Sequence, residues 1–194
     1  MIRLYCATGN PGKLAEFQMA ARIFDIAIEH VPNFGALPAC EETGSTFEEN
    51  AILKARHYAA TVDGLVFADD SGLAVNALGG APGVYSARYS GPNATDEANN
   101  RLLLENLRGE ADRTASFVCA IALLAGAEVR GVFHGSVEGT ILDAPRGSAG
   151  FGYDPLFYYA PFGCTFGEAS EERKFEVSHR GEAFRAMLAY LRTA

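Results

Sequence analysis

The chain opens on a short apolar run, Ile2-Arg3-Leu4-Tyr5-Cys6-Ala7, which breaks at the polar turn Thr8-Gly9-Asn10-Pro11-Gly12. Beyond the turn the period lengthens from strand to helix, and from about Lys13 to Phe24 the residues Leu14, Phe17, Ala20, Ala21 and Phe24 share one helical face. A second strand is expected near Ile26–Val31, followed by an irregular segment to Ser45. Thr46 with Glu49 three residues later is the signature of a capping box, so a helix should start there and run to about Thr61, with Phe47, Ala51, Lys54 and Tyr58 on one side. Leu65-Val66-Phe67-Ala68 reads as a short buried strand ending at Asp69-Asp70-Ser71-Gly72, where polar groups would emerge from the edge of an apolar sheet.

In the second half, Thr95 or Asn93 can cap a helix carrying Ala98, Leu102, Leu103 and Leu107. Thr114–Ala125 and Val129–Ile141 flank the turn Gly126-Ala127 and predict a long antiparallel hairpin. A further strand is expected near Leu156–Tyr159, and a last helix from about Ser178 to Leu191 with Phe184, Met187, Leu188 and Leu191 inward. Strands and helices alternate early, and strands dominate later. The pattern predicts one mixed α/β domain over residues 1–194: a twisted central sheet with flanking helices, elongated and two-lobed, with a ligand cleft between the lobes.

Composition narrows the choice of partners. Among 194 residues, 48% are hydrophobic and 21% charged, which fits a folded globular chain and not a disordered one. The formal charge of −8 and the absence of any Lys/Arg run argue against a nucleic-acid polymer as partner. The longest apolar stretch, Phe117 to Ala127, is 11 residues and too short to span a bilayer, so the cytoplasm is the expected location. Four cysteines without a CxxC pair are expected as free thiols.

Five segments carry candidate chemistry. Thr8-Gly9-Asn10-Pro11-Gly12-Lys13 lies between a strand and a helix, where glycine lets backbone N–H groups approach an anion and the helix start adds positive potential. It is no Walker A loop, because Leu14 stands where Ser or Thr would ligate magnesium. Glu41-Glu42 and Asp69-Asp70 are two pairs of adjacent acids; converging on one cleft, they could hold a hard divalent cation through oxygen. Spacing alone does not choose between the two members of either pair. With Lys13 and Lys54 they would form the two halves of a nucleotide-phosphate site. Gly147-Ser148-Ala149-Gly150-Phe151-Gly152-Tyr153-Asp154 interleaves glycines with aromatic rings able to face a planar ligand, and Lys174 with Ser178-His179-Arg180 concentrates donors at the last helix.

Taken in order, the blocks Ala7–Phe17, Glu41–Arg56, Phe67–Gly91, Gly147–Phe157 and Ser178–Ala183 resemble the inosine triphosphate pyrophosphatase family, whose bacterial dITP/XTP pyrophosphatases remove non-standard purine nucleotides. The resemblance spans nearly the whole chain. One departure is Arg173, where members commonly carry an acid before the lysine matched by Lys174. The resemblance implies hydrolysis of dITP, ITP or XTP to the monophosphate and pyrophosphate, with Mg²⁺ as cofactor, in a homodimer. By the same carry-over, Thr8, Gly9, Asn10, Pro11, Gly12 and Lys13 would hold phosphates, and Glu42 and Asp70 the metal, Asp70 also accepting the proton of the attacking water. Lys54, Ser71 and Lys174 would contact substrate, while Phe151, Gly152, Tyr153, Asp154, His179 and Arg180 would form the base pocket. A nucleotide sensor without catalysis and a phosphatase releasing orthophosphate are the competing readings.

Overall fold

The computed structural model describes residues 2–193. Its elements run β1 (Arg3–Cys6), α1 (Pro11–Phe24), β2 (Ala27–His30), α2 (Phe47–Ala59), β3 (Leu65–Val75), α3 (Asp96–Asn106), β4 (Thr114–Ala125), β5 (Glu128–Ile141), β6 (Phe157–Tyr159), β7 (Cys164–Thr165), α4 (Glu171–Val177) and α5 (His179–Leu191). The strands form one mixed sheet of order β2-β1-β3-β4-β5-β6-β7, with helices packed against it. β1 pairs parallel with both β2 and β3, whereas β5, β6 and β7 pair antiparallel. The expected mixed α/β class is therefore observed. Among the described residues no helix is long and apolar enough to cross a membrane.

The chain divides into two compact units. The first comprises residues 1–70, 119–135 and 180–194, and the second 71–118 and 136–179. The backbone passes from one to the other within β3, β4 and β5, and again between His179 and Arg180.

In the first unit, strand alternation sorts the side chains of β3 into two sets. Val66 and Ala68 join Ala51, Ala55 and Tyr58 of α2 in one buried cluster, with Ala120, Ala122 and Leu124 of β4. Phe67 points the other way and meets Phe17 of α1 edge-on at 4.9 Å between ring centres, with Phe184 of α5 close to both. In the second unit Leu73 and Val75 pack with Leu103, Leu107, Phe117, Tyr153, Phe157 and Phe166.

Several helix starts form as their sequences dictate. Asn10 caps α1 by accepting the Lys13 N–H, with Pro11 in the first turn where its missing N–H costs nothing. Thr46 and Glu49 close the capping box of α2. Three expectations need correction. β3 does not stop at Ala68 but continues through Asp69-Asp70-Ser71-Gly72 to Val75, because Leu73 and Val75 carry the apolar alternation into the core of the second unit. α4, a helix of 7 residues capped by Ser170, and the two-residue β7 were not anticipated, both being too short to show a period.

Candidate active site

The acids of β3 obey the same alternation as their apolar neighbours. Asp69 shares the face of Phe67, and Asp70 that of Val66 and Ala68. They therefore acquire different partners. Asp70, 6% exposed, receives the Lys54 ammonium at 2.9 Å and the Asn50 amide at 3.3 Å, both from α2. Lys54 also reaches Glu42 at 3.3 Å, so one cation draws two carboxylates to one point. Asp69, 2% exposed, receives Lys13 of α1 at 2.9 Å and Nε of Arg180 of α5 at 3.4 Å. Arg180 also pairs with the buried Glu16.

The electrostatics of the two acids diverge accordingly. Burial pushes both carboxyls upward. At Asp69 the charges of Lys13, Arg180 and Lys54 outweigh burial and hold the group well below the usual carboxylate range. At Asp70 burial, helped by Glu42, prevails over Lys54 and Lys13, and the pKa lies above its ordinary value. Burial opposes the charge on Lys54, but Asp70, Asp69 and Glu42 outweigh it and strengthen that lysine's hold on its proton. Burial, with Asp69 nearby, pushes the thiols of Cys6 and Cys119 upward, and all four cysteines are free.

The expected convergence of four acids is thus corrected to two, Glu42 and Asp70. Asp69 is turned to the opposite sheet face, and Glu41 is exposed, its carbonyl facing the Cys40 thiol at 3.8 Å. Among the described residues no group of three or more acids, histidines or cysteines could hold a metal ion. In the Thr8–Lys13 turn several backbone donors are engaged within the turn itself. The Asn10 N–H is given to Thr8 Oγ1, the Lys13 N–H to Asn10 Oδ1 and the Leu14 N–H to Asn10 O, while Pro11 has none. The turn is held by its own hydrogen bonds and by His30, whose Nε2 lies 2.7 Å from the Thr8 carbonyl, and Lys13 supplies its main charge. Ser71 is half-buried on β3 at the start of the second unit.

In the second unit Phe151 and Lys174 meet at Asp154, which is 3% exposed. Its Oδ2 accepts the Phe151 N–H at 2.9 Å and the Lys174 ammonium at 2.6 Å, and that ammonium lies 5.0 Å from the centre of the Phe151 ring. Gly150, at φ +72°, gives way to the same carboxylate: a Cβ there would collide with Asp154. The charge at Arg173 is directed elsewhere, its guanidinium lying 3.9 Å above the Phe162 ring. Tyr153 is a core residue whose hydroxyl donates to the Ser86 carbonyl at 2.8 Å. His179 is buried and stacks on Phe117 at 4.8 Å with 11° between the planes. Arg180 belongs to the first unit, and its guanidinium donates to Glu16 and Asp69.

Asn50 and Glu16 were not singled out from sequence, although a helical signal was present for each. Asn50 lies four residues before Lys54 and Glu16 three after Lys13, so each shares a helix side with a candidate lysine.

A mixed α/β protein with a lysine-bridged pair of acids is the class that this fold and site define. The model of the Ham1 family matches residues 4–190, and the chain belongs to that family. It is 48% identical to the dITP/XTP pyrophosphatase of Exiguobacterium sp. over 97% of this chain and 96% of that one. It is 50% identical to the dITP/XTP pyrophosphatase of Geobacter sulfurreducens, over 98% of this chain and 97% of the relative. The solved structure of a HAM1 protein from Coxiella burnetii superposes with a TM-score of 0.88 at 43% identity, covering 100% of both chains.

Proposed function

We propose that this protein hydrolyses non-standard purine nucleoside triphosphates, dITP, ITP and XTP, to the nucleoside monophosphate and pyrophosphate, and so clears them before they enter DNA or RNA. The observation that carries the reading is the Lys54 ammonium bridging Asp70 and Glu42 in a buried setting, with Lys13 on the adjoining acid. It is supported by relatives of that name at about half identity over nearly the full length.

The residues fit a magnesium ion. Mg²⁺ is usually held by one or two carboxylates plus substrate phosphates, and the oxygens of Glu42 and Asp70 that share one ammonium already converge. When bound, Mg²⁺ would neutralise polyphosphate charge and acidify water. Asp70, whose carboxyl is shifted upward by burial, takes the proton of the attacking water; a base closer in pKa to the working pH is the better acceptor. Asn50 orients that carboxylate. Lys13, Lys54 and Lys174 offset the charge of the triphosphate and of the departing pyrophosphate, and the Ser71 hydroxyl donates a hydrogen bond to it. A net charge of −8 is no obstacle, because these cations act locally.

Phe151 stacks on the purine, which contributes about 1–3 kcal/mol whatever the base. Selectivity must then come from the base edge. A 6-oxo purine presents an acceptor where adenine presents an amino group, so donors placed at that edge, from His179, Arg180 and the Tyr153 N–H, favour hypoxanthine and xanthine. Homodimeric assembly and a cytoplasmic location belong to the same reading and are carried by the family resemblance. The test is turnover of dITP, XTP and dATP with Mg²⁺, followed by the appearance of monophosphate. Preference for dITP and XTP over dATP is expected, and equal turnover of the three would refute the base assignment.

A further inference from the structure

The tip of the Gly147–Gly152 segment borders a cavity of about 1070 Å³ within the second unit, whose lining also includes Asp96, Asn100, Arg101 and Leu104 of α3. A loop facing so much open space cannot be fixed by packing there, and its backbone needs polar anchors. Two are present, and both act on one residue. The Asp96 carboxylate accepts the Gly152 N–H at 2.7 Å, and the Asn100 side-chain N–H donates to the Gly152 carbonyl at 3.0 Å. Asp96 and Asn100 lie four apart on α3, so one helix face presents an acceptor and a donor a single turn apart.

The two anchored groups belong to successive peptide planes, one joining Phe151 to Gly152 and the next joining Gly152 to Tyr153. Fixing both planes fixes the dihedrals of Gly152, which sits at φ +62°, a conformation that would otherwise be one of several open to glycine. Asp154 holds the preceding N–H, that of Phe151. The peptides on both sides of Phe151 are therefore set, and with them the direction in which its ring leaves the chain.

We propose that Asp96 and Asn100 are positioning residues for base recognition: from outside the nucleotide site they clamp Gly152 and so aim the Phe151 ring. The proposal rests on the assignment of Phe151 to the purine. Freeing either end of Gly152 should reduce the fraction of molecules with the ring in its binding orientation, raising KM for a nucleotide without altering the groups that act on phosphorus.

The test uses the full-length variants Asp96→Ala and Asn100→Ala, with steady-state kinetics on dITP and with inorganic tripolyphosphate, which has no base, as competitive inhibitor. Expected is a KM for dITP raised roughly five- to twentyfold with kcat within about twofold, the size of one lost charge-assisted or neutral hydrogen bond. The inhibition constant for tripolyphosphate should not change. Asp96→Asn, whose amide oxygen still accepts the Gly152 N–H, should recover most of the affinity. Unchanged KM in both alanine variants, a fall in kcat at constant KM, or tripolyphosphate inhibition that weakens in step with KM would each overturn the clamp. If Asp96→Ala fails to fold through damage to the start of α3, Asn100→Ala in the helix body decides the matter alone. Wild-type protein that does not turn over dITP would instead refute the underlying reading.

Discussion

Lys54 and Asp70 approach to 2.9 Å inside the first unit, and the same ammonium stands 3.3 Å from Glu42. A buried cation placed between two acids holds their carboxyl groups close together, an arrangement that would otherwise be repulsive. Lys54→Met should therefore impair the site from two directions, by removing charge opposite the phosphates and by driving the acids apart. Turnover of dITP should fall roughly 10²- to 10³-fold, the loss typical of one electrostatic contact in a water-poor site. Activity within threefold of wild type would remove Lys54 from the machinery.

The two neighbouring aspartates should fail in different ways. Asp70→Asn preserves shape and can keep the Asn50 contact, so its melting temperature should change little while turnover drops roughly 10²- to 10⁴-fold. Asp69→Asn leaves Lys13 and Arg180 without their shared buried counter-charge, and its first effect should be on stability. A loss of about 3–5 kcal/mol, or roughly 10 °C in Tm, is expected from breaking a buried ion pair. Thermal melts and kinetics on both variants check the assignment, and a reversal of the two phenotypes would exchange the roles given to the two acids.

Lys13 is tied to Asp69 by an ion pair and is only 13% exposed in its side chain, which leaves it positioned before any ligand arrives. Lys13→Ala should weaken binding of dITP much more than binding of deoxyinosine, measured by calorimetry with the two ligands. Equal losses for both would show that Lys13 does not serve the phosphates.

Gly150→Ala isolates the Asp154 knot. The new methyl would meet a strained φ of +72° and the Asp154 carboxylate, which also holds Lys174 and the Phe151 N–H. A KM for dITP raised at least tenfold is expected, since strain of about 1–3 kcal/mol falls on the loop that carries Phe151. A KM equal to that of wild type would mean that the loop geometry does not matter for binding.

Much of the architecture was legible because its signals are local. The Thr46/Glu49 capping box, the Asn10-Pro11 helix start and the hairpin turn at Gly126-Ala127 each reside in a few adjacent residues, and each appears where its sequence places it. β3 shows where local reading stops. Its middle, Asp69-Asp70-Ser71-Gly72, looks like the end of a strand, and only the burial of Leu73 and Val75 beyond it explains why the ladder continues. Once those acids lie inside a strand, alternation separates Asp69 from Asp70, a distinction that spacing alone could not make.

The site residues divided in the same way. Lys13, Lys54, Glu42 and Asp70 carry chemistry in their residue types and were visible from sequence. Asn50, Glu16, Asp96 and Asn100 are ordinary surface-type residues until the fold brings each to its partner, over separations of 20 residues for Asn50–Asp70 and 164 for Glu16–Arg180. Arg180 was legible as a functional cation but not as the partner of Glu16, because no local pattern links the two ends of the chain.

The central claim concerns the bond that is broken, and the products report it directly. Purified protein given dITP and Mg²⁺, with pyrophosphate and orthophosphate assayed separately, should release one pyrophosphate for each dIMP and no orthophosphate. Stepwise release of orthophosphate with dIDP, or binding of dITP without turnover, would contradict it.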